Sequence, residues 1–331
     1  MVARACSRGA KAGAAGGGMQ INDRRIHFLY EAWRSGSMRQ ASEILEMAPS
    51  SISRQIAQLE REIGSTLIEH GRREIVLTEA GHAVLEYYRN RHSSLEMLNA
   101  QLRDLSAART GHVKFAIGEG FLGEALYRTL DEFMDGYPGF TLSLSVTDTT
   151  EMVRLLLEDE VHFGLGFHPL SHPQVVSRFR AAVPLKAIMH AAHPLADRSS
   201  ISIAELCAEP LALMGQAFRI RQMIDLAAAD SGQLVSPVLV SNSIPVLIRS
   251  ACARRAVTVL PEFSVRSELS NGQLVAVRIV SSAMQSVYVH LITRRNRILS
   301  PQVMALTEQM RKRLAPTALY APTDGKEPAA S

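Results

Sequence analysis

Gly118-Glu119-Gly120-Phe121-Leu122-Gly123 has the G-x-G-x-x-G spacing that lets backbone approach a pyrophosphate at the start of a helix. It follows the strand-like run Val113–Ile117 and opens the helical run Leu122–Met134. Asp148 lies just past the next strand, where a ribose hydroxyl would be sought. Together these residues make the case for an NAD(P)-binding oxidoreductase. Glu119 opposes it, because a carboxylate beside a pyrophosphate repels it, and such an enzyme leaves residues 1–90 without a task. A glycine-rich loop at a helix N-terminus can also receive a small anionic ligand. Glu119 would then contact an amine or hydroxyl of that ligand, or be solvated at the rim. Arg219 and Arg221 either bind a ligand carboxylate or are surface arginines of a helix. His162, His168, His172, His190 and His193 cluster in sequence, but no carboxylate or thiol completes a tight metal set, so no metal is expected. No G-x-S-x-G elbow is present, and no catalytic residues are assigned.

A second concentration of chemistry lies nearer the N-terminus. If Ile52 and Ile56 point inward, Ser50, Ser51, Ser53 and Arg54 point outward, a set suited to base edges in a DNA major groove. Pro49 suits the first helical position on that face, because it lacks the amide that would go unpaired there. Arg39, Arg72 and Arg73 suit phosphates or a narrow minor groove.

Short helices must position these groups. Asp23 caps a first helix with Ile26, Leu29, Tyr30 and Trp33 on its apolar face, ending at Gly36. Ser37 caps a second, with Ala41, Ile44 and Leu45 facing inward. The break Glu46-Met47-Ala48 leads to a third, Ser50 to Ile63, striped by Ile52, Ile56, Leu59 and Ile63 and stopped by Gly64. Two short helices joined by a tight turn, the second polar outside, form a helix-turn-helix pattern. Thr66–Ile68 and Glu74–Leu77 read as a hairpin wing around Gly71-Arg72-Arg73. Thr78 caps a long helix in which Leu85, Tyr88, His92, Leu95, Asn99 and Leu102 alternate by three and four. That is the seam of a coiled coil, with Asn99 fixing register, or the buried stripe of a helix packed on its own domain.

Beyond Thr110 strands and helices alternate to a closing helix, Pro301 to Leu314, which predicts an α/β region with mostly parallel strands and two lobes. At 331 residues the chain has room for two or three domains. Hydrophobic residues at 47 % and charged residues at 21 % exclude wholesale disorder. No apolar run is long enough to cross a membrane as a helix. Cys6, Cys207 and Cys252 are far apart, which argues against a disulfide framework and fits a reducing cytoplasm. The net charge of +4 sits mostly in residues 1–18, so it says little about partners. Those Gly/Ala-rich residues are read as a disordered extension upstream of Met19, without the apolar core of a secretory signal, and 316–331 as a flexible tail.

Over residues 19–315 the chain resembles a LysR-type transcriptional regulator. The likeness rests on Ile26 and Phe28, Gly36-Ser37-Met38 and Ala41-Ser42-Glu43-Ile44-Leu45 in the first two helices. Ser53-Arg54-Gln55-Ile56 with Leu59-Glu60 and Ile63-Gly64 resembles the recognition helix, and Leu77-Thr78-Glu79-Ala80-Gly81 the exit from the wing. Tyr137-Pro138 and His193-Pro194-Leu195-Ala196 recur in the effector domain. Phe218-Arg219-Ile220-Arg221-Gln222 with Ser241-Asn242-Ser243 is similar to a subgroup with no assigned effector. Two departures stand out. Ala48-Pro49-Ser50 replaces the usual Ser-Gln-Pro or Ser-Gln-Ser, so the operator need not follow that of relatives, and His162 replaces an aspartate.

The resemblance implies a winged helix-turn-helix domain (19–78), a linker and dimerisation helix (79–110) and a two-lobed, periplasmic-binding-protein-like effector domain (111–315). The first lobe would take about 111–178 and 286–315, the second about 179–285. A small-molecule effector of unknown identity is expected between the lobes, near Glu119, Gly120, Phe121, Thr149, Phe218, Ser241, Asn242 and Ser243. No other cofactor is expected. The implied partner is double-stranded DNA carrying an interrupted palindrome, bound by a homodimer or homotetramer, with RNA polymerase as a further candidate partner and no membrane.

Overall fold

Burial of apolar stripes determines the first helices. The computed structural model describes residues 22–69, 74–105, 110–167, 171–285 and 287–314. They fall into two units, one up to Arg91 and one from His92. In the first unit α1 (Asp23–Arg34) is capped by Asn22, whose side chain accepts from the Arg24 amide at 3.0 Å. Asp23, the expected cap, instead takes the first helical position and pairs with Arg91. Ser37 caps α2 (Met38–Ile44) as expected, its Oγ accepting from the Gln40 amide at 3.2 Å. α3 (Pro49–Ile63) buries Ile52, Ile56 and Leu59 against Ile26, Phe28, Leu29, Ala32 and Ala41. Ile44 does not face inward; it is 57 % exposed, because the seven residues of α2 have room to bury only Ala41.

Gly64 ends α3 in the left-handed region, at φ 75°, where a Cβ would be strained. Of the expected wing strands, the described residues form one antiparallel bridge, Ile68 to Leu77. Residues 70–73, with Arg72 and Arg73, lie outside the described residues. α4 (Glu79–Leu105) starts at Thr78, whose Oγ1 accepts from the Gly81 amide at 3.1 Å and donates to the Thr66 carbonyl at 2.6 Å. Gly81 is required by contact: a Cβ there would lie 2.2 Å from the Leu67 carbonyl oxygen. No described helix is long and apolar enough to cross a membrane.

The second unit holds a five-stranded sheet, a four-stranded sheet and a separate two-stranded pair. β1 (Gly111–Ile117), β2 (Phe140–Val146) and β3 (Phe163–Phe167) are parallel, joined through α5 (Glu124–Gly136) and α6 (Thr149–Leu157). β4 (Val175–Ala182) closes the far edge, and the chain leaves this lobe at Val183-Pro184, past the expected 178. The second lobe comprises β5 (Leu185–His190), β6 (Ser200–Ser202), α7 (Ile203–Ala208), β7 (Leu211–Leu213), α8 (Arg219–Asp230), β8 (Pro237–Val240), α9 (Ile244–Cys252), β9 (Thr258–Pro261), α10 (Arg266–Ser270) and β10 (Leu274–Val280). After α11 (Ser282–Gln285) the chain returns as β11 (Tyr288–Arg294) and ends its described course in α12 (Pro301–Leu314).

The strand orders are β2-β1-β3-β11-β4 and β6-β10-β5-β9, with β7-β8 as a separate parallel pair. The expectation of mostly parallel strands is therefore corrected. β11 runs antiparallel to β3 and β4, and β5 antiparallel to β10 and β9, because returning segments enter each sheet from the opposite end.

Candidate functional site

The outer face of α3 is built by its inner stripe. With Ile52 and Ile56 buried, Pro49, Ser50, Ser53 and Arg54 are exposed and Ser51 is half-buried. The Arg54 guanidinium folds back on the first turn, donating to the Ser50 carbonyl at 3.2 Å and the Ser51 hydroxyl at 3.3 Å. That turn has no side-chain cap and no acidic residue, so the Ser50 amide and the positive dipole end remain available to a phosphate. Arg39 is 89 % exposed and lies 3.9 Å from Glu43. Behind the face, Arg25 holds α1 to α3 through Gln55 at 3.0 Å and through Glu62, and Glu60 accepts the Leu67 amide at 2.7 Å. Sequence reasoning missed these supporting roles; the partners of Arg25 lie 30 and 37 residues away in the chain.

In the second unit three helix starts converge on one cleft between the lobes. Thr149 opens α6, Phe218 and Arg219 open α8, and Ile244 opens α9. Gly118, Glu119, Gly120, Thr147, Asp148, Phe167, Met214 and Ile220 complete the lining. Two of the helix starts are filled by carboxylates of the protein itself. Asp148, weighed above as a ribose ligand, caps α6 by accepting from the Thr150 and Glu151 amides at 2.8 and 3.0 Å. Glu119 reaches across the lobes to α9, accepting from the Ile244 amide at 2.8 Å and the Ser243 hydroxyl at 3.2 Å. The α8 start has no side-chain cap, and beside it the Arg219 Nε is buried without a partner among the described residues. Arg221, by contrast, is buried and paired with Asp225 at 2.8 Å.

Of the residues expected at the effector site, Glu119, Gly120, Thr149 and Phe218 line this cleft. Phe121 does not; it stacks on Phe167 at 4.8 Å and on Phe263 of the second lobe at 5.6 Å. Ser241 and Ser243 shape the turn before α9, the Ser243 amide donating to the Ser241 hydroxyl at 3.1 Å, while Asn242 is exposed. Met214 and Phe167 were missed. The available signal was that Phe167 ends an apolar strand, and Met214 directly follows one, on the side where α/β sheets bind ligands.

The histidines serve local structure. His162 Nδ1 accepts the Lys114 amide at 2.9 Å, and burial, then the nearby Arg297 charge, lower its pKa to about 3. His172, His190 and His193 each accept an amide two residues on, and His168 lies outside the described residues. No metal-competent cluster of His, Cys, Asp and Glu occurs among the described residues.

The deciding comparison covers most of the chain. Residues 24–82 match the bacterial regulatory helix-turn-helix family of lysR type, and residues 106–315 match the LysR substrate binding domain. The chain belongs to the LysR family of transcriptional regulators. Its relatives include the RuBisCO operon transcriptional regulator of Allochromatium vinosum, 26 % identical over 290 residues, covering 88 % of this chain and 95 % of the relative. The HTH-type transcriptional activator CmpR of Synechocystis is 28 % identical over 272 residues, covering 81 % of this chain and 87 % of the relative. In fold, this LysR-type regulator matches a full-length OxyR variant from Pseudomonas aeruginosa with a TM-score of 0.62, at 17 % identity, over 93 % of this chain and 99 % of that one. These relatives are regulators rather than enzymes, and nothing in them supports an oxidoreductase reading of the Gly118–Gly123 loop. This regulator thus combines a DNA-binding helix-turn-helix domain with an α/β effector-binding domain.

Proposed function

We propose that this LysR-type regulator reads an interrupted palindrome through Pro49, Ser50, Ser51, Ser53 and Arg54, with Arg39, Arg72 and Arg73 on the phosphate backbone. A small-molecule effector bound between the lobes changes the DNA complex. The observation that carries the effector half is the uncapped α8 start, with the buried, unpartnered Nε of Arg219 beside it. A small ligand with an anionic group satisfies both, and Met214, Phe167, Phe218 and Ile220 would hold its apolar body. The assembly is a homodimer or homotetramer. Leu95, Leu98 and Leu102 on α4 are about half exposed and spaced by three and four, which supports a helix pairing with a second copy. Contact with RNA polymerase and residence in the cytoplasm follow by family likeness. The division into a DNA-reading domain (19–78), linker helix (79–110) and effector domain (111–315) is retained, with the first lobe extended to Ala182.

Effector control requires that the ligand bind the two DNA-binding states with different affinity, and linkage makes the effect reciprocal. The test is selection of bound genomic fragments by the purified chain, then footprinting at two salt concentrations. Two protected patches a whole number of helical turns apart, on one face of the duplex, are expected. Binding without sequence preference that vanishes at moderate salt would leave only non-specific electrostatics. Arg219→Ala should abolish the effector's influence on the footprint while leaving DNA affinity in its absence unchanged.

A further inference from the structure

Glu119 lies on the short turn Glu119–Phe121 of the first lobe, yet its carboxylate serves a helix of the second. α9 needs an external partner. Its preceding residue, Ser243, makes no side-chain cap of its own, and Pro245 at the second position has no amide to offer. The Ile244 amide is a donor that the first turn presents, and Glu119 takes it at 2.8 Å. The Ser243 hydroxyl, which could have turned inward to cap its helix, donates to the other carboxylate oxygen at 3.2 Å. A charge-assisted pair of bonds at the positive end of a helix is the arrangement by which proteins bind free anions.

Two neighbouring contacts hold the same turn. Ser264 of the second lobe donates its hydroxyl to the Gly120 carbonyl at 3.1 Å, and Phe121 stacks on Phe263. Gly120 is packed so closely that a Cβ would come within 3.0 Å of the Phe167 ring. The turn is therefore fixed against the second lobe, and Glu119 is delivered to α9 by a short, buttressed segment.

We propose that Glu119 is a tethered anion that latches the lobes together and bars a ligand's carboxylate, sulfate or phosphate from the start of α9. This deepens the reading of the cleft as the effector site and rests on it. It makes Glu119 a specificity-determining residue. The cleft accepts a ligand whose single anionic group lies at α8, and rejects dianions whose second group would have to displace Glu119 from α9. In this structure the half-buried Glu119 carboxylate is engaged by the second lobe through the Ile244 amide and the Ser243 hydroxyl.

The test uses the purified full chain, with sodium sulfate as the probe and sodium chloride of equal ionic strength as the control, followed by titration calorimetry. Glu119→Ala is expected to gain one saturable sulfate site over the wild-type stoichiometry. That added site should weaken about tenfold when Ser243→Ala is introduced as well, and should survive Arg219→Ala. If Glu119→Ala does not fold, as judged by circular dichroism, Glu119→Ser carries the same expectations with a smaller loss of polar contacts. No added site in a folded variant overturns the proposal. So does an added site that depends on Arg219 and not on Ser243. Neither result involves DNA or the natural effector, so failure of the latch and failure of the effector reading remain distinguishable.

Discussion

Asp159 carries more than its size suggests. Held at φ 57°, it accepts from Arg294 at 2.8 Å and from Arg297 at 2.7 Å, and both guanidinium groups are almost wholly buried. Arg297 also reaches Glu96 on α4 at 3.2 Å, and Arg294 reaches Ser93 at 3.5 Å. Asp159→Ala removes the carboxylate that two buried guanidinium groups share, and the expected cost is about 3–5 kcal/mol, read as a lower urea midpoint at unchanged slope. His162, beside this group, is neutral when folded. Its pKa of about 3 lies below the unfolded value, so the unfolded chain binds the extra proton between about pH 6.5 and pH 3. Stability from this group is complete above that window and falls with pH inside it, by about 1.4 kcal/mol per pH unit. His162→Asn should remove that part of the acid sensitivity, measured as the difference between urea midpoints at pH 7 and pH 5. Neither residue's role was legible in sequence. His162 stood out only as a departure from its family, and Asp159 and Arg297 lie on opposite sides of the second lobe's entire sequence.

Among the elements, α3 was read almost to the residue, because Ile52, Ile56 and Leu59 repeat at helical spacing and Pro49 and Gly64 bound them. Ile56→Ala, in the first unit's core, is expected to cost about 2–5 kcal/mol, and Gly64→Ala about 1 kcal/mol, both by thermal or urea unfolding. Arg54→Ala tests the outer face. It should cost about 1–3 kcal/mol on the selected operator and relax preference at one base position, whereas Arg39→Ala should weaken all DNA alike and flatten the salt dependence. β4 escaped sequence reading. Its Ser177, Arg178 and Arg180 break the apolar run, as charges on a sheet edge do, so an edge strand reads as a loop. β6 is three residues long and leaves no period to detect. The bonds of Glu119 to the second lobe were not legible for a different reason: its partners lie 124 and 125 residues away, and nothing local announces them.

For the whole molecule, α4 has two characters. Leu85 is spent inside the first unit's core, so it is not free for the expected seam, whereas Leu95, Leu98 and Leu102 remain exposed. Leu98→Glu should shift the purified chain toward monomer in sedimentation and weaken operator binding at low protein concentration, with the circular dichroism spectrum unchanged. The order β2-β1-β3-β11-β4 has a consequence in time rather than space. β11 lies between β3 and β4, but it is synthesised after the second lobe is complete. As the chain leaves the ribosome, the second lobe has all its strands first and can close as a unit. The first lobe waits with an open gap in its sheet until residues 288–294 emerge. A nascent chain stalled just before β11 therefore exposes β3 and β4 as unpaired edges, and that interval is when this regulator most needs a chaperone.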